Sequence, residues 1–136
     1  MFCFTRKCIH CKSEHLTTTL TTDNAQIQIH TVDYTDLSTV IHYAYTIDPA
    51  VMKKYPLSTI HIVKAVDNFG NVYEIHDNGG TSKDGHGFNW SFALYDLPKD
   101  VTTVTLTPEI SYVSQSGVIT SDMREILEPI TIKISR

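Results

Sequence analysis

Apolar and polar residues alternate along most of the chain after residue 15, with a period of two positions. The alternation is clearest over residues 88–94, where Phe88, Trp90 and Phe92 are separated by polar or small residues. Neighbouring side chains of a β-strand point to opposite faces, so this period predicts strands with one buried face. Strands are predicted over residues 16–22 (at a sheet edge), 25–34, 39–47, 57–66, 72–76, 88–94, 101–107, 109–113 and 130–134.

Turn-forming residues separate these predicted strands. Residues 67–71 give the strongest hairpin prediction, because Gly70 and Asn71 tolerate positive φ angles. Residues 77–87 contain four glycines and predict an exposed loop. The strands that flank residues 67–71 are therefore expected to be antiparallel neighbours.

Short strands without a long helix predict an all-β fold. About seven or eight antiparallel strands would form a two-sheet sandwich, which we favour over a barrel because no glycine kinks recur along the strands. One helical turn is predicted over residues 50–55 after Asp48, and Pro108 is expected to end its strand or to lie in a bulge at an edge. The chain divides into a cysteine-containing leader, residues 1–15, expected to be flexible, and one sandwich domain, residues 16–136.

Composition supports this fold class and narrows the range of functions. Val, Ile and Thr account for 42 of the 136 residues and Ala and Leu for 13, which argues against a helical bundle. The net charge is −4, and because residues 1–15 carry +2, the rest of the chain carries −6. An acidic body argues against binding to nucleic acid or to anionic lipid. No apolar run reaches the roughly 18–20 residues of a membrane span, so no direct membrane insertion is expected, and the start does not resemble a signal peptide.

The cysteines lie within the first eleven residues, where they form a candidate metal site. Cys3, Cys8, Cys11 and His15 supply the thiolate and imidazole ligands that zinc prefers. Their spacing differs from that of zinc knuckles and ribbons, and no second cysteine pair follows. A redox or disulfide role for Cys8 and Cys11 and a leader without chemistry are the alternatives, and no cofactor other than this zinc is expected.

The predicted loop is a second candidate site. It contains His76, Asp77, Asn78, Asp84 and His86, whose oxygen and imidazole groups would suit calcium or a transition metal. The spacing is not that of an EF-hand, and long turns use the same residue types. Because the loops of a sandwich often carry its binding function, we interpret these five residues as a candidate binding loop.

No pattern in the chain predicts an enzyme, and a hydrolase that used His76, Asp77, Asp84 or His86 would need those side chains to converge in one pocket. A Gly-x-Ser-x-Gly sequence and a glycine-rich phosphate loop are both absent. His30, His42 and His61 are interpreted as residues of strand faces or of the core rather than as general bases. The aromatic residues at 43–45 and 88–92 are interpreted as core, although aromatic side chains on a strand face can bind a sugar or a peptide.

Several stretches resemble a known family. Residues 67–73 match an Asp-x-x-Gly-x-x-Tyr hairpin, residues 88–94 match the strand that follows, and residues 97–108 resemble a Leu-Pro-x-x…Leu-x-Leu-x-Pro signature. Over residues 16–136 the chain resembles the immunoglobulin-like extracytoplasmic domain of Gram-positive membrane-anchored proteins related to anti-sigma factors. The resemblance implies an immunoglobulin-like sandwich outside the membrane and no catalytic residues.

The chain also departs from that family. Such proteins are longer and carry a cytoplasmic N-terminal region and a transmembrane helix, neither of which is present here. Their zinc-binding regions have the order His-x3-Cys-x2-Cys, whereas the corresponding first position is Phe4. Binding to a sigma factor is therefore not assigned to this chain.

The sequence predicts a non-catalytic binding or structural module, an extracytoplasmic sensing or interaction domain of a bacterial protein. Its expected partner is another protein or its own parent membrane protein, and no nucleic acid is expected. A small zinc-binding regulatory protein that uses the N-terminal cysteines and His15 is the alternative function. The resemblance implies the cell surface, whereas a chain complete as given would be cytoplasmic.

Overall fold

The computed structural model describes residues 11–82, 87–116 and 123–135. These stretches form ten β-strands and one short α-helix. The elements are β1 (Lys12–Thr21), β2 (Ala25–Tyr34), β3 (Ser38–Ile47), α1 (Pro49–Lys54), β4 (Thr59–Asp67), β5 (Val72–Tyr73), β6 (His76–Ser82), β7 (Gly87–Tyr95), β8 (Thr103–Ser111), β9 (Arg124–Ile126) and β10 (Ile130–Lys133).

The strands form two antiparallel sheets. Sheet A has the order β1-β2-β3-β7-β6, and sheet B has the order β10-β8-β4-β5. Strand β9 also pairs with β8, beyond the end of β10, so β9 and β10 lie along the same edge of β8. The predicted all-β sandwich of two antiparallel sheets is confirmed. Two strands form that were not predicted: residues 77–82 belong to β6, where a loop was expected, and the three-residue β9 is too short to show a period.

The core lies between the two sheets. In sheet A, the rings of Tyr43, Tyr45 and Phe92 are at most 2% exposed. Tyr43 lies edge-on to Phe92 at a centroid distance of 6.0 Å, and Tyr45 stacks on Phe88 at 4.9 Å. Phe88 and Trp90 are only partly buried at the margin of this core. The aliphatic side chains that complete it include Ile27, Ile29, Ile41 and Leu94 from sheet A and Ile60, Leu106, Ile110 and Ile132 from sheet B.

Asp67 organises the predicted hairpin, which joins β4 and β5. One oxygen of its carboxylate accepts the backbone N–H groups of Phe69 (2.8 Å) and Asn71 (3.0 Å). The other accepts the Tyr73 hydroxyl (2.6 Å) and the Asn71 amide (3.0 Å), while Gly70 adopts φ of 89°. Burial opposes ionisation of Asp67, but these hydrogen bonds outweigh burial and lower the pKa of the carboxyl to about 2. The Asp-x-x-Gly-x-x-Tyr pattern therefore has a structural role in this turn.

Pro108 lies inside a central strand, contrary to the prediction that it would end a strand or lie in a bulge at an edge. Strand β8 pairs with β4 on one side and with β9 and β10 on the other. Proline has no N–H group to donate, and β4 bulges opposite it, with Val63 as the extra residue between Ile62 and Lys64. The Pro108 carbonyl still accepts a hydrogen bond from the backbone of Leu127 at 2.9 Å.

The structure shows where strand β1 begins and where the predicted helical turn lies. Strand β1 begins at Lys12, which pairs with Tyr34, so residues 12–15 belong to the edge of sheet A rather than to the leader. Residues 12–15 are all polar and show no apolar period, which is why the pattern missed the start of this strand. The predicted helical turn is present as α1, whose first N–H groups are capped by Asp48, with a distance of 2.8 Å to the Ala50 nitrogen.

Candidate functional site

The predicted N-terminal ligands are only partly described. Four of the residues predicted to bind a ligand lie outside the described residues: Cys3, Cys8, Asp84 and His86. Cys11 is disulfide-bonded, so its sulfur is not a thiolate ligand in this form of the protein. His15 lies in β1, with its side chain exposed.

Strand β6 carries the other predicted loop residues, which are His76, Asp77 and Asn78. It pairs with β7 at the edge of sheet A, so the structure corrects the predicted loop: residues 77–82 form a strand. The strand bulges at Asn78, between Asp77 and Gly79. Asp, Asn and Gly suit a bulge as well as a turn, which is why composition alone predicted a loop.

The two glycines of β6 have different local roles. Gly79 adopts φ of 81°, a left-handed conformation that glycine reaches without strain. A Cβ atom on Gly80 would lie 2.0 Å from the carbonyl oxygen of Asn89 and 2.4 Å from the Trp90 ring. Glycine at this position therefore allows β6 to lie against Trp90 of β7.

Asp77 joins the two sheets beside this contact. Its Oδ1 accepts the Trp90 indole N–H at 2.6 Å and the Gly79 backbone N–H at 2.7 Å. Its Oδ2 lies 3.2 Å from Nδ1 of His61, a residue of β4 in sheet B. The His61 and Trp90 rings pack edge-to-face at 5.3 Å. Asp77 thus holds an imidazole and an indole together at the margin of the sandwich.

A second aromatic contact lies beside these residues, between β6 and the end of β7. The rings of His76 and Tyr95 pack edge-to-face at 4.8 Å, and Tyr95 is 47% exposed. Together with residues 76–82 of β6, we call His61, Trp90 and Tyr95 the β6 surface. Exposed aromatic side chains of this kind are enriched where proteins bind other proteins.

A second cluster, which the sequence analysis did not predict, lies on the outer face of sheet A. His15 pairs with Thr31, and Thr31 pairs with His42, so three neighbouring strands contribute to it. Strand β2 bulges at His30, which brings its ring to 6.2 Å from that of His42. Buried positions of β2 change from odd to even numbers across this bulge, and that change of phase is the signal in the sequence that could have revealed it. We call His15, His30, His42 and Asp33 the histidine cluster.

Hydrogen bonds orient the members of the histidine cluster. Nε2 of His42 lies 2.8 Å from Oδ2 of Asp33, whose Oδ1 accepts the Ser13 hydroxyl. Nδ1 of His30 lies 2.9 Å from the Thr31 hydroxyl. No three His, Cys, Asp or Glu residues of the described stretches converge on a point that could hold a metal ion.

Comparison with known proteins identifies a family and a fold. A family model described as a family of unknown function (DUF5643) matches residues 12–134. No curated protein matches the chain in sequence. A solved structure described as the conserved domain protein from Bacillus anthracis is similar, with a TM-score of 0.77 and 16% identity. The similarity covers 93% of this chain and 50% of that one, so the chain spans about half the length of this neighbour.

Proposed function

The chain belongs to the DUF5643 family, a family of unknown function, and we propose that its β-sandwich is a non-catalytic module that binds an extended segment of a partner protein along β6. The observation that carries this proposal is the exposed edge of β6. Among the described residues, β6 has a strand neighbour on one side only, and six of its seven residues are exposed. An unpaired strand edge offers backbone N–H and C=O groups to which an extended peptide can add as a further strand.

The composition of β6 favours such pairing. The strand contains no lysine, arginine or proline, the residues with which proteins usually block an exposed edge. Its one carboxylate, Asp77, is engaged by Trp90 and His61. The bulge at Asn78 disrupts only the first half of the strand, so residues 79–82 continue in regular pairing with β7.

The other edge of sheet A is less suited to a partner strand. Strand β1 carries Lys12, whose ammonium group donates to the carbonyl of Ser135, and Glu14, which accepts from the Tyr34 hydroxyl at 3.4 Å. Charged side chains on an edge disfavour the addition of another strand. This contrast makes β1 a matched control for β6 in the same sheet.

Two observations support an interaction module outside the cytoplasm. The same fold forms half of a longer chain in the Bacillus anthracis neighbour, as expected for a module that works beside other domains. The disulfide at Cys11 is of a kind that persists in oxidising compartments.

Among the described residues, no helix is long and apolar enough to span a membrane. The zinc-binding regulatory alternative needs Cys11 as a thiolate and is therefore less well supported than an interaction module.

A peptide selection experiment tests the proposal. Random linear peptides would be selected against the immobilised protein, and the bound peptides would be added to ¹⁵N-labelled protein for NMR. We expect the largest amide shifts and the strongest exchange protection at residues 76–82. Thr81→Lys, which places a charge on the β6 edge, should weaken binding at least about tenfold.

The opposite edge provides the control for this experiment. Thr19→Lys places the same charge on an exposed threonine of β1 and should leave the affinity unchanged. Peptides whose shifts map outside the β6 surface, or equal affinity of the two lysine variants, would refute binding at β6. A folded protein from which no peptide is selected would also count against it.

A further inference from the structure

We propose that the peptide segment bound along β6 carries an arginine opposite Gly80, which stacks on the Trp90 indole and pairs with the Asp77 carboxylate. This inference rests on the proposed binding of an extended peptide at β6 and specifies the side chain that the site recognises. It concerns the inner side of the β6 surface, where the Trp90 and His61 rings are in contact.

The Trp90 indole lies over Gly80 at the unpaired edge of sheet A. Trp90 and Gly80 are directly opposite each other in the pairing of β7 with β6. A Cβ atom on Gly80 would lie 2.4 Å from Cε3 and 2.7 Å from Cδ2 of the indole, so the ring occupies the space that a side chain at residue 80 would fill. The ring is only partly buried. A strand added to β6 therefore meets an aromatic ring at this position rather than a side chain of β6.

An added strand brings one side chain against this ring. Neighbouring strands lie about 4.8 Å apart, and residues directly opposite each other have Cβ atoms about 4.5–5.5 Å apart. Directly opposite residues also project to the same face of a sheet, so the peptide residue opposite Gly80 projects to the face that carries Trp90. Because glycine places no side chain between them, this peptide residue contacts the indole.

The carboxylate beside the ring favours a cation at this position. Asp77 precedes Gly80 on the inner face of β6, and its side chain is 43% exposed. Its Oδ1 accepts two N–H groups, whereas among the described residues Oδ2 has a hydrogen-bond contact with His61 alone, at 3.2 Å. A carboxylate oxygen accepts more than one hydrogen bond, so Oδ2 has the capacity for a donor from the peptide.

The charge of the surrounding surface favours the same kind of side chain. None of the residues of the β6 surface is a lysine or an arginine. Glu74, which lies two residues before β6, has a side chain that is 83% exposed. An acidic surface of this kind attracts a basic peptide and repels an acidic one.

Arginine fits these neighbours better than the other side chains do. Its planar guanidinium group stacks on an aromatic ring and donates to a carboxylate at the same time, whereas the ammonium group of lysine does not stack. Leucine would contact the Trp90 ring but would offer no donor to Asp77. Glutamate would be repelled by the Asp77 carboxylate.

Three heptapeptide libraries test this proposal. They share random flanking residues and carry arginine, leucine or glutamate at the centre, and each would be selected against the immobilised native protein. We expect the best arginine peptides to bind at residues 76–82 at least about fivefold more tightly than the best leucine or glutamate peptides. Replacing the arginine by citrulline, its uncharged isostere, should remove this advantage. Because Trp90 is the only tryptophan of the chain, its fluorescence should change when an arginine peptide binds.

Two variants separate recognition by Asp77 from an effect of overall charge. Asp77→Asn keeps an oxygen that can accept from Trp90 and should reduce the preference for arginine over leucine to less than about twofold. Asp23→Asn removes the same charge from the exposed turn between β1 and β2, at the opposite edge of sheet A, and should leave the preference unchanged. The citrulline comparison uses the native protein, so it tests the arginine contact even if Asp77→Asn does not fold.

The outcomes distinguish this inference from peptide binding itself. Peptides that shift the signals of residues 76–82 but bind equally well with arginine, leucine or citrulline would overturn the arginine contact and leave binding at β6 intact. An equal loss of the preference in Asp77→Asn and Asp23→Asn would overturn it as well. A folded native protein that retains none of the three libraries would refute peptide binding at β6 and, with it, the arginine contact.

Discussion

Replacing two neighbouring core tyrosines by phenylalanine should affect stability in opposite directions. Tyr43 and Tyr45 project from β3 into the core and are 1% and 2% exposed. The Tyr43 hydroxyl donates to the carbonyl of Ile60 in sheet B at 3.2 Å. The Tyr45 hydroxyl is buried near the Ile60 backbone but makes no hydrogen bond of normal geometry with any described residue. The two substitutions remove the same atom from the same strand, but only one of them breaks a hydrogen bond.

The expected sizes follow from this difference. Burial raises the pKa of both phenols, that of Tyr45 to about 12, so both hydroxyls are protonated at neutral pH. Tyr43→Phe removes this buried hydrogen bond and should cost about 0.5–1.5 kcal/mol. Tyr45→Phe removes an unpaired buried polar atom and should be neutral or stabilising by up to about 1 kcal/mol. For a chain of 136 residues, 1 kcal/mol corresponds to about 3–4 °C in melting temperature.

Urea unfolding followed by tryptophan fluorescence provides the assay. Trp90 is the only tryptophan of the chain and lies at the margin of the core, so its emission reports on packing between β6 and β7. Thermal unfolding measured by calorimetry gives the second, independent value. If both variants lose the same stability, or if Tyr45→Phe loses more than Tyr43→Phe, the assignment of hydrogen bonds in this core is refuted.

Two further predictions concern the edges of the sandwich. Gly80→Ala should destabilise the protein by about 1–3 kcal/mol, because the added Cβ would overlap the Asn89 carbonyl and the Trp90 ring. The control Thr81→Ala should have little effect on stability. If Gly80→Ala melted at the same temperature as the native protein, the close packing of β6 on β7 would be contradicted. The pKa of Asp67 in the folded protein, about 2, lies below the ordinary value of 3.8, so its ionised form adds stability above about pH 4 that is lost as the pH falls toward 2. Asp67→Asn should flatten the fall of the urea midpoint between these pH values, and a variant as sensitive to pH as the native protein would show that Asp67 does not cause it.

Much of the fold could be predicted from local patterns. Strands β2, β3, β4 and β7 follow the alternation of apolar residues closely, because each buries one face in the core. The hairpin at residues 67–71 was equally predictable, since Gly70 adopts the positive φ that its sequence allows. The prediction was poor for the start of β1 and for β6 and β9, whose residues are largely exposed and need no period.

The candidate sites depended much more on tertiary structure. Residues 76–78 were recognised as candidates, but their partners His61 and Trp90 come from other strands and are adjacent only because β4 and β6 meet at the margin of the two sheets. The histidine cluster was not recognised, because His15, His30 and His42 are far apart in sequence. In the sequence, nothing distinguishes any one of these three histidines from other polar residues of a β-strand.

Alternation and turn residues were sufficient to predict an all-β sandwich. Whether a strand buries one face is a local property, because it depends on the order of apolar and polar residues within that strand. Pairing is not local: register, bulges and the order of strands in a sheet depend on contacts between distant segments. Those contacts make Pro108 tolerable in a central strand, convert a glycine-rich segment into the edge strand β6, and turn His30 toward His42. The surface to which we assign a partner strand arises from this pairing, and for that reason it became visible only in the folded chain.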